Sequence, residues 1–206
     1  MILVKNYKGG CLSSNDWKEF NMYWAQAKQE IFRLQLLNTY NVPQEETQFR
    51  NYMNGIPVVL DSDTKEWLSS LNAKRKAGIR NLNIIVTDLP LSDYLKFAIN
   101  VYYIDQQKAG RETLLVNRKN VDTLVSSAKD YWMFDSKKVL PVSYDAEGRF
   151  LSIEKGLVNP ADITKAVRLR DELLRVAKPI DEFLKENSID ISPPKAKTQK
   201  KFSKSY

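Results

Sequence analysis

The chain has 206 residues, 43% of them hydrophobic and 28% charged, a composition typical of a globular protein that buries one sizeable core. It contains no histidine, which excludes Ser–His–acid and Cys–His catalysis as well as histidine-ligated zinc. The single cysteine, Cys11, excludes an internal disulfide. Because the sequence has neither a secretory signal nor an apolar run of membrane-spanning length, we expect a cytoplasmic protein.

The formal net charge of +7 is concentrated at the C-terminal end. Residues 191–206 hold five lysines and no acid, which leaves 27 basic against 25 acidic residues elsewhere. We therefore predict an N-terminal segment over 1–12, a nearly neutral single domain over 13–190, and a flexible basic tail over 191–206. The tail is either simply solvated or contacts nucleic acid through Lys195, Lys197, Lys200, Lys201 and Lys204.

Apolar spacing predicts that the first third of the chain is helical. A long amphipathic helix begins at Ser13 or Ser14 and runs past Leu34. Turn-forming residues over 38–43 then end it. A second helix follows and ends at Gly55, a residue suited to a helix C-terminus.

Strands and helices then alternate. After a short β-branched run, IPVVL, we predict a helix that stops at Gly78, a strand over Leu82–Leu89, a helix from Ser92 to Gly110, and a strand, RETLLVNR. Three further strands joined by the turns DSKK and DAEG make a meander. The last helix opens at Pro160 and is kinked or split by Pro179.

These elements predict an α+β fold. Its sheet is largely antiparallel, has about five strands and ends in the three-stranded meander. Helices are expected to pack on one face, with long helices at both ends of the domain. The sequence has seven glycines but no glycine-rich phosphate loop, and we predict no cofactor.

Six charged residues within apolar stretches are candidates for a polar pocket or a structural clamp. If Arg33 lies on a buried face, its guanidinium needs a carboxylate partner, and Glu45 is the expected one. Such a pair would either clamp two helices together or form the floor of a polar pocket. The candidates are Arg33, Glu45, Arg80, Glu112, Asp130 and Asp135.

A catalytic alternative rests on three consecutive residues at the end of a predicted strand. Asp135, Ser136 and Lys137 match the acid-x-Lys half of a magnesium-dependent nuclease site, with Glu112 or Asp130 as the second acid. The same three residues fit an exposed hairpin turn equally well. Both interpretations remain open from the sequence.

The sequence resembles an uncharacterised domain family common in actinomycetes and often encoded near helix-turn-helix regulators. The similarity covers most of Asp16 to Phe183 and is carried by FRLQLLNTYNVPQEETQF, LPLSDYLKF, DYWMFDSKKVLPVSYDAEGRF and RDELLRVAKPIDEF. The family usually has an acid where this chain has Gln35, and another directly after the glycine that matches Gly110. The resemblance implies a shared fold and an accessory or regulatory role, with no established chemistry.

The sequence thus favours a non-catalytic accessory or regulatory protein that binds a nucleoprotein complex or a DNA-binding regulator. DNA or RNA would be contacted by the lysine-rich tail. The alternative is a small magnesium-dependent enzyme that acts on nucleic acid or a nucleotide through Asp135, Lys137 and either Glu112 or Asp130.

Overall fold

A computed structural model describes residues 14–195 of the chain. In this part of the chain, seven strands form one sheet in the order β6-β5-β4-β1-β2-β3-β7. The strands are β1 Glu30–Gln35, β2 Arg80–Thr87, β3 Arg111–Asn117, β4 Asp130–Phe134, β5 Lys138–Tyr144, β6 Phe150–Ile153 and β7 Lys178–Pro179.

Strand direction changes across the sheet. β1, β2 and β3 are parallel to one another, whereas β4, β5 and β6 form an antiparallel meander that pairs with β1. The short β7 pairs antiparallel with β3 at the other edge. The predicted α+β fold with a largely antiparallel sheet is confirmed, and the described sheet has two more strands than expected.

The helices fill the connections between strands. Residues 93–108 form one continuous helical segment, because a π-helical stretch, Ile99–Tyr103, joins α4 to α5. The helices are α1 Ser14–Gln26, α2 Glu46–Met53, α3 Ser62–Lys76, α4 Asp93–Ala98, α5 Ile104–Lys108, α6 Asp122–Val125, α7 Pro160–Leu174 and α8 Ile180–Glu186. No helix within residues 14–195 is both long enough and apolar enough to cross a bilayer.

Helices cover both faces of the sheet, whereas the sequence predicts helices on one face only. Along β1, Phe32 and Leu34 belong to a core that α6 and α7 close from one side. Side chains alternate between the two faces of a strand, so Ile31 points to the other side and packs in a second core with Trp132. Burial on both faces makes the central strands almost wholly inaccessible to solvent.

The largest difference from the sequence prediction is at β1. The helix expected to run past Leu34 ends at Gln26, and the following apolar segment is the central strand of the sheet. Both faces of β1 are buried, so its apolar residues Ile31, Phe32 and Leu34 do not alternate strictly along the strand and also fit a helical period. Periodicity alone therefore could not separate these two conformations.

Most of the later elements agree with the prediction. α3 is capped by Asp61, whose side chain accepts a hydrogen bond from the Thr64 backbone N–H at 2.7 Å. Pro179 separates α7 from α8, and the meander has the expected hairpin turns. The β-branched run IPVVL, at 56–60, is irregular chain.

Candidate functional site

Polar side chains cross one face of the central strands. The register aligns Arg33 of β1 with Asn83 of β2 and Thr113 of β3. Two residues earlier in β2 and β3, it aligns Asn81 with Arg111. Aligned residues of neighbouring strands point to the same face, so these side chains lie side by side. With Gln35 of β1 and Gln106 of α5 they form what we call the polar layer. Its members, each at most 3% exposed, are Arg33, Gln35, Asn81, Asn83, Gln106, Arg111 and Thr113.

Arg33 is held by a buried ion pair. Its Nη2 donates hydrogen bonds to Asp130 Oδ2 and to Tyr144 Oη, both at 2.8 Å. Asp130 also accepts hydrogen bonds from Tyr40 Oη and from the Leu36 backbone N–H, each at 2.8 Å. Burial lowers the pKa of Arg33, but the surrounding groups, Asp130 among them, more than offset burial and leave the pKa above its usual value.

The expectation that Glu45 pairs with Arg33 is wrong. β4 lies antiparallel to β1, which brings Asp130 next to the C-terminal end of β1 and therefore close to Arg33. Glu45 is buried elsewhere and accepts a hydrogen bond from Tyr94 Oη at 2.8 Å. The ion pair of Arg33 therefore joins two strands, β1 and β4, and not the two helices that were expected.

Arg111 is also buried, but its contacts differ from those of Arg33. Its Nη1 donates to Gln106 Oε1 at 3.1 Å, and its guanidinium lies 5.3 Å from the centre of the Trp132 ring and 5.8 Å from that of Trp67. Within residues 14–195, no carboxylate forms an ion pair with it. Burial is the main cause that lowers the pKa of Arg111 to about 9, and the like charge of Arg33 contributes to the decrease.

Many polar atoms of this region have no hydrogen-bond partner in the described part of the chain. Buried polar groups are hydrogen-bonded in the great majority of cases, so a cluster of exceptions in one place needs a physical explanation. These atoms are Arg33 Nη1, both amide atoms of Asn81 and of Asn83, Gln106 Nε2, Arg111 Nε, Thr113 Oγ1, Trp67 Nε1 and Trp132 Nε1.

Tyrosine phenols border the polar layer. Burial raises the pKa of Tyr103 to about 12, and its Oη lies 3.3 Å from Gln35 Nε2. Burial also raises the pKa values of Tyr40, Tyr94 and Tyr144. These phenols are therefore neutral at physiological pH and offer hydroxyl groups without charge.

A surface cleft of about 350 Å³ lies outside this tyrosine border. Tyr40, Glu45 and Tyr94 are among its lining residues. Tyr40 both lines the cleft and donates its hydroxyl hydrogen bond to Asp130. Tyr40 therefore contacts both the cleft and the Asp130 carboxylate of the buried ion pair.

The remaining predicted polar residues lie apart from the polar layer. Arg80 donates to Glu112 Oε2 at 2.8 and 3.0 Å on the surface, where both side chains are nearly half exposed. Asp135 accepts hydrogen bonds from the backbone N–H groups of residues 28–30, at 2.8 to 3.2 Å, and so anchors the start of β1. Burial raises the pKa of Asp135, but the three N–H groups and the charge of Lys137 together outweigh burial and lower the pKa below the usual value.

The acids of the catalytic alternative do not converge. Asp130 and Asp135 stand at opposite ends of β4, and each is engaged with its own partners. Glu112 is in the surface pair with Arg80. Within residues 14–195, no three acids or cysteines lie close enough together to hold a metal ion.

Of the five tail lysines, Lys195 is the last described residue. Lys197, Lys200, Lys201 and Lys204 lie outside the described residues, as does the N-terminal segment 1–12.

Of the seven residues of the polar layer, the sequence had indicated Arg33 alone as a site candidate. The signal for its neighbours in β2 was available, because Asn81 and Asn83 alternate with the apolar Leu82 and Ile84. An asparagine pair on the inner face of a strand is unusual and marks a polar interior. The first residue of β3, Arg111, gave no comparable signal, since a charged residue after a glycine normally lies at the surface.

Comparison with solved structures gives a distant likeness to TrmBL2, an archaeal chromatin protein whose structure shows a novel mode of DNA binding. The TM-score is 0.43 and the identity 12%, over 81% of this chain and 51% of that one, so the chain spans about half the length of TrmBL2. A likeness of this size assigns no function to the chain. Among curated proteins none matches the sequence. One family model matches residues 18–185, and the chain therefore belongs to that family, a domain of unknown function designated DUF6879.

Proposed function

We propose that the protein is a non-catalytic accessory or regulatory protein of the cytoplasm. It would join a nucleoprotein complex or a DNA-binding regulator and contact nucleic acid with its lysine-rich tail. The proposal rests mainly on one observation, namely that the acidic residues considered for catalysis have other partners. Asp130 neutralises Arg33, Asp135 anchors β1, and Glu112 pairs with Arg80 at the surface, so each acid considered for catalysis is engaged with a partner of its own.

The distribution of charge supports the contact with nucleic acid. Residues 191–206 carry five lysines without an acid, whereas basic and acidic residues of the remaining chain almost balance. A polyanion is therefore attracted mainly to the C-terminal end. Each lysine that neutralises a phosphate adds about 0.9 to the slope of log affinity against log salt concentration, so five give at most about 4.5.

The test needs a variant that leaves the domain intact. Ile191 packs against the core, and its carbonyl accepts a hydrogen bond from Tyr52 Oη at 2.8 Å, so removal of all residues from 191 would damage the body. We would instead replace the five lysines by glutamine. Fluorescence anisotropy with labelled DNA and RNA is expected to show binding that weakens steeply with salt and is lost in this variant. Unchanged binding would contradict the role of the tail.

Two further measurements test the rest of the proposal. A protein partner retained on the immobilised full chain after nuclease treatment would support attachment through protein contacts, and the absence of any retained partner would contradict it. Cleavage of labelled DNA or RNA in Mg²⁺ or Mn²⁺ that disappears in Asp135→Ala would contradict the non-catalytic assignment.

A further inference from the structure

The polar layer holds more positive than negative charge. Arg33 is compensated by Asp130, whereas the titratable groups near enough to affect Arg111 are Arg33, which has the same sign, and the Tyr103 phenol, which is neutral at physiological pH. A buried, unpaired charge destabilises a folded protein by several kcal/mol. The indole faces of Trp67 and Trp132 offset part of this through cation–π contact.

The unpaired atoms around Arg111 supply both donors and acceptors. Arg111 Nε, Arg33 Nη1 and the two indole N–H groups are donors, while Thr113 Oγ1 and the asparagine amides can donate or accept. Atoms that merely complete a protein core are normally paired with one another. Here they are placed by the four adjacent strands β4, β1, β2 and β3 and by the helix α3, which are rigid elements of the sheet and its cover.

We propose that the polar layer is a binding site for a small organic anion. A carboxylate or phosphate group of the ligand would lie against Arg111, because a guanidinium matches the planar geometry of such groups with paired hydrogen bonds. Hydroxyl or amide groups of the ligand would bond Asn81, Asn83 and Thr113. This site lies in the folded body and is distinct from the nucleic-acid contact of the tail.

The surface cleft lies next to the polar layer. Tyr40 lines the cleft, and its hydroxyl donates a hydrogen bond to Asp130 beside Arg33. The bordering phenols are uncharged and therefore do not repel an anion. Four acidic residues also line the cleft, so entry from this side favours a small ligand with a single negative charge over a highly charged one; they are Glu45, Glu46, Asp93 and Glu147.

Thermal unfolding of the full chain tests the proposal with defined probes. Sodium phosphate, sodium acetate and sodium gluconate are compared with sodium chloride at equal ionic strength. A saturable rise in Tm with phosphate supports a phosphate ligand, and one with acetate or gluconate supports a carboxylate. No rise beyond that in chloride with any of the three would overturn the proposal.

Two variants locate the effect. Arg111→Met keeps an unbranched apolar stem but removes the guanidinium, and it is expected to weaken the apparent anion affinity by about tenfold or more, whereas the exposed Arg50→Met serves as control and leaves it unchanged. Equal anion responses in Arg111→Met and in the wild-type protein would overturn the assignment. If Arg111→Met does not fold, Thr113→Val replaces a buried, unpaired hydroxyl isosterically and must likewise weaken the anion response.

Discussion

Arg33 and Arg111 place their guanidinium groups against the same indole, that of Trp132, at 5.4 and 5.3 Å from the ring centre. The two side chains are equally buried but differently paired, since Asp130 neutralises Arg33 and no carboxylate of residues 14–195 pairs with Arg111. One arginine therefore stabilises the fold, and the other holds a charge that can serve a ligand.

This difference predicts opposite effects of the same substitution at the two positions. Arg33→Met leaves Asp130 as an unpaired buried charge and is expected to lower the free energy of unfolding by about 3–5 kcal/mol. Arg111→Met removes an unpaired charge and is expected to leave stability in anion-free buffer unchanged or higher. Urea denaturation measures both. A large loss in Arg111→Met would mean that Arg111 is structural.

We predict that alanine is tolerated less well at Gly148, in the turn between β5 and β6, than at Gly78, after α3. Gly148 and Gly78 both have φ near +75°, at which an alanine costs roughly 1–2 kcal/mol. A Cβ at Gly148 would also lie 2.7 Å from the Thr39 carbonyl oxygen, whereas one at Gly78 would meet no atom within 4 Å. Gly148→Ala should therefore destabilise the protein by a further ~1–3 kcal/mol relative to Gly78→Ala in the same denaturation assay. Equal effects would show that Thr39 moves away without cost.

The anchor of β1 predicts a pH dependence. The backbone N–H groups of residues 28–30 lower the pKa of Asp135 below its ordinary value of 3.8, so the ionised form stabilises the folded state. That contribution is complete above the unfolded-state pKa and is lost as the pH falls through the lower folded-state pKa. The free energies of unfolding of the wild-type protein and Asp135→Asn should differ at pH 7 and converge as the pH falls below the folded-state pKa of Asp135. A difference that does not vary with pH would contradict an ionic role.

The buried tyrosines that border the polar layer are expected to ionise only at a higher pH than exposed tyrosines. Since burial raises the pKa of Tyr103 to about 12 and places those of Tyr40, Tyr94 and Tyr144 well above the usual value, these phenols stay protonated while exposed tyrosines titrate. Tyr103→Phe should leave the ultraviolet absorbance step near pH 10 unchanged in amplitude. A smaller step in this variant would show that Tyr103 is open to solvent.

Local sequence signals predicted most of the fold. Capping residues, glycines at helix ends and turn sequences placed the helices after β1, the meander and the break at Pro179 correctly. β1 was missed because a strand buried on both faces has the same apolar run as a buried helix. With β1 taken as a helix, the centre of the sheet and the cover on its second face could not be foreseen.

The site was less predictable, because it is assembled from partners far apart in the chain. Arg33 was recognised as a buried cation from its apolar neighbours, but its partner Asp130 is 97 residues away and is brought close by antiparallel pairing. Arg111 reaches Trp132 and Trp67 only through the order of the strands and the packing of α3. No spacing along the sequence encodes these contacts.

Anomalous X-ray diffraction from crystals soaked in sodium bromide tests the anion site most directly, because bromide is a small anion that can be located by its own signal. We predict a bromide peak between the guanidinium of Arg111 and the side chains of Asn81 and Asn83, and its loss in Arg111→Met. Bromide found at surface cations but not in the polar layer would contradict the site.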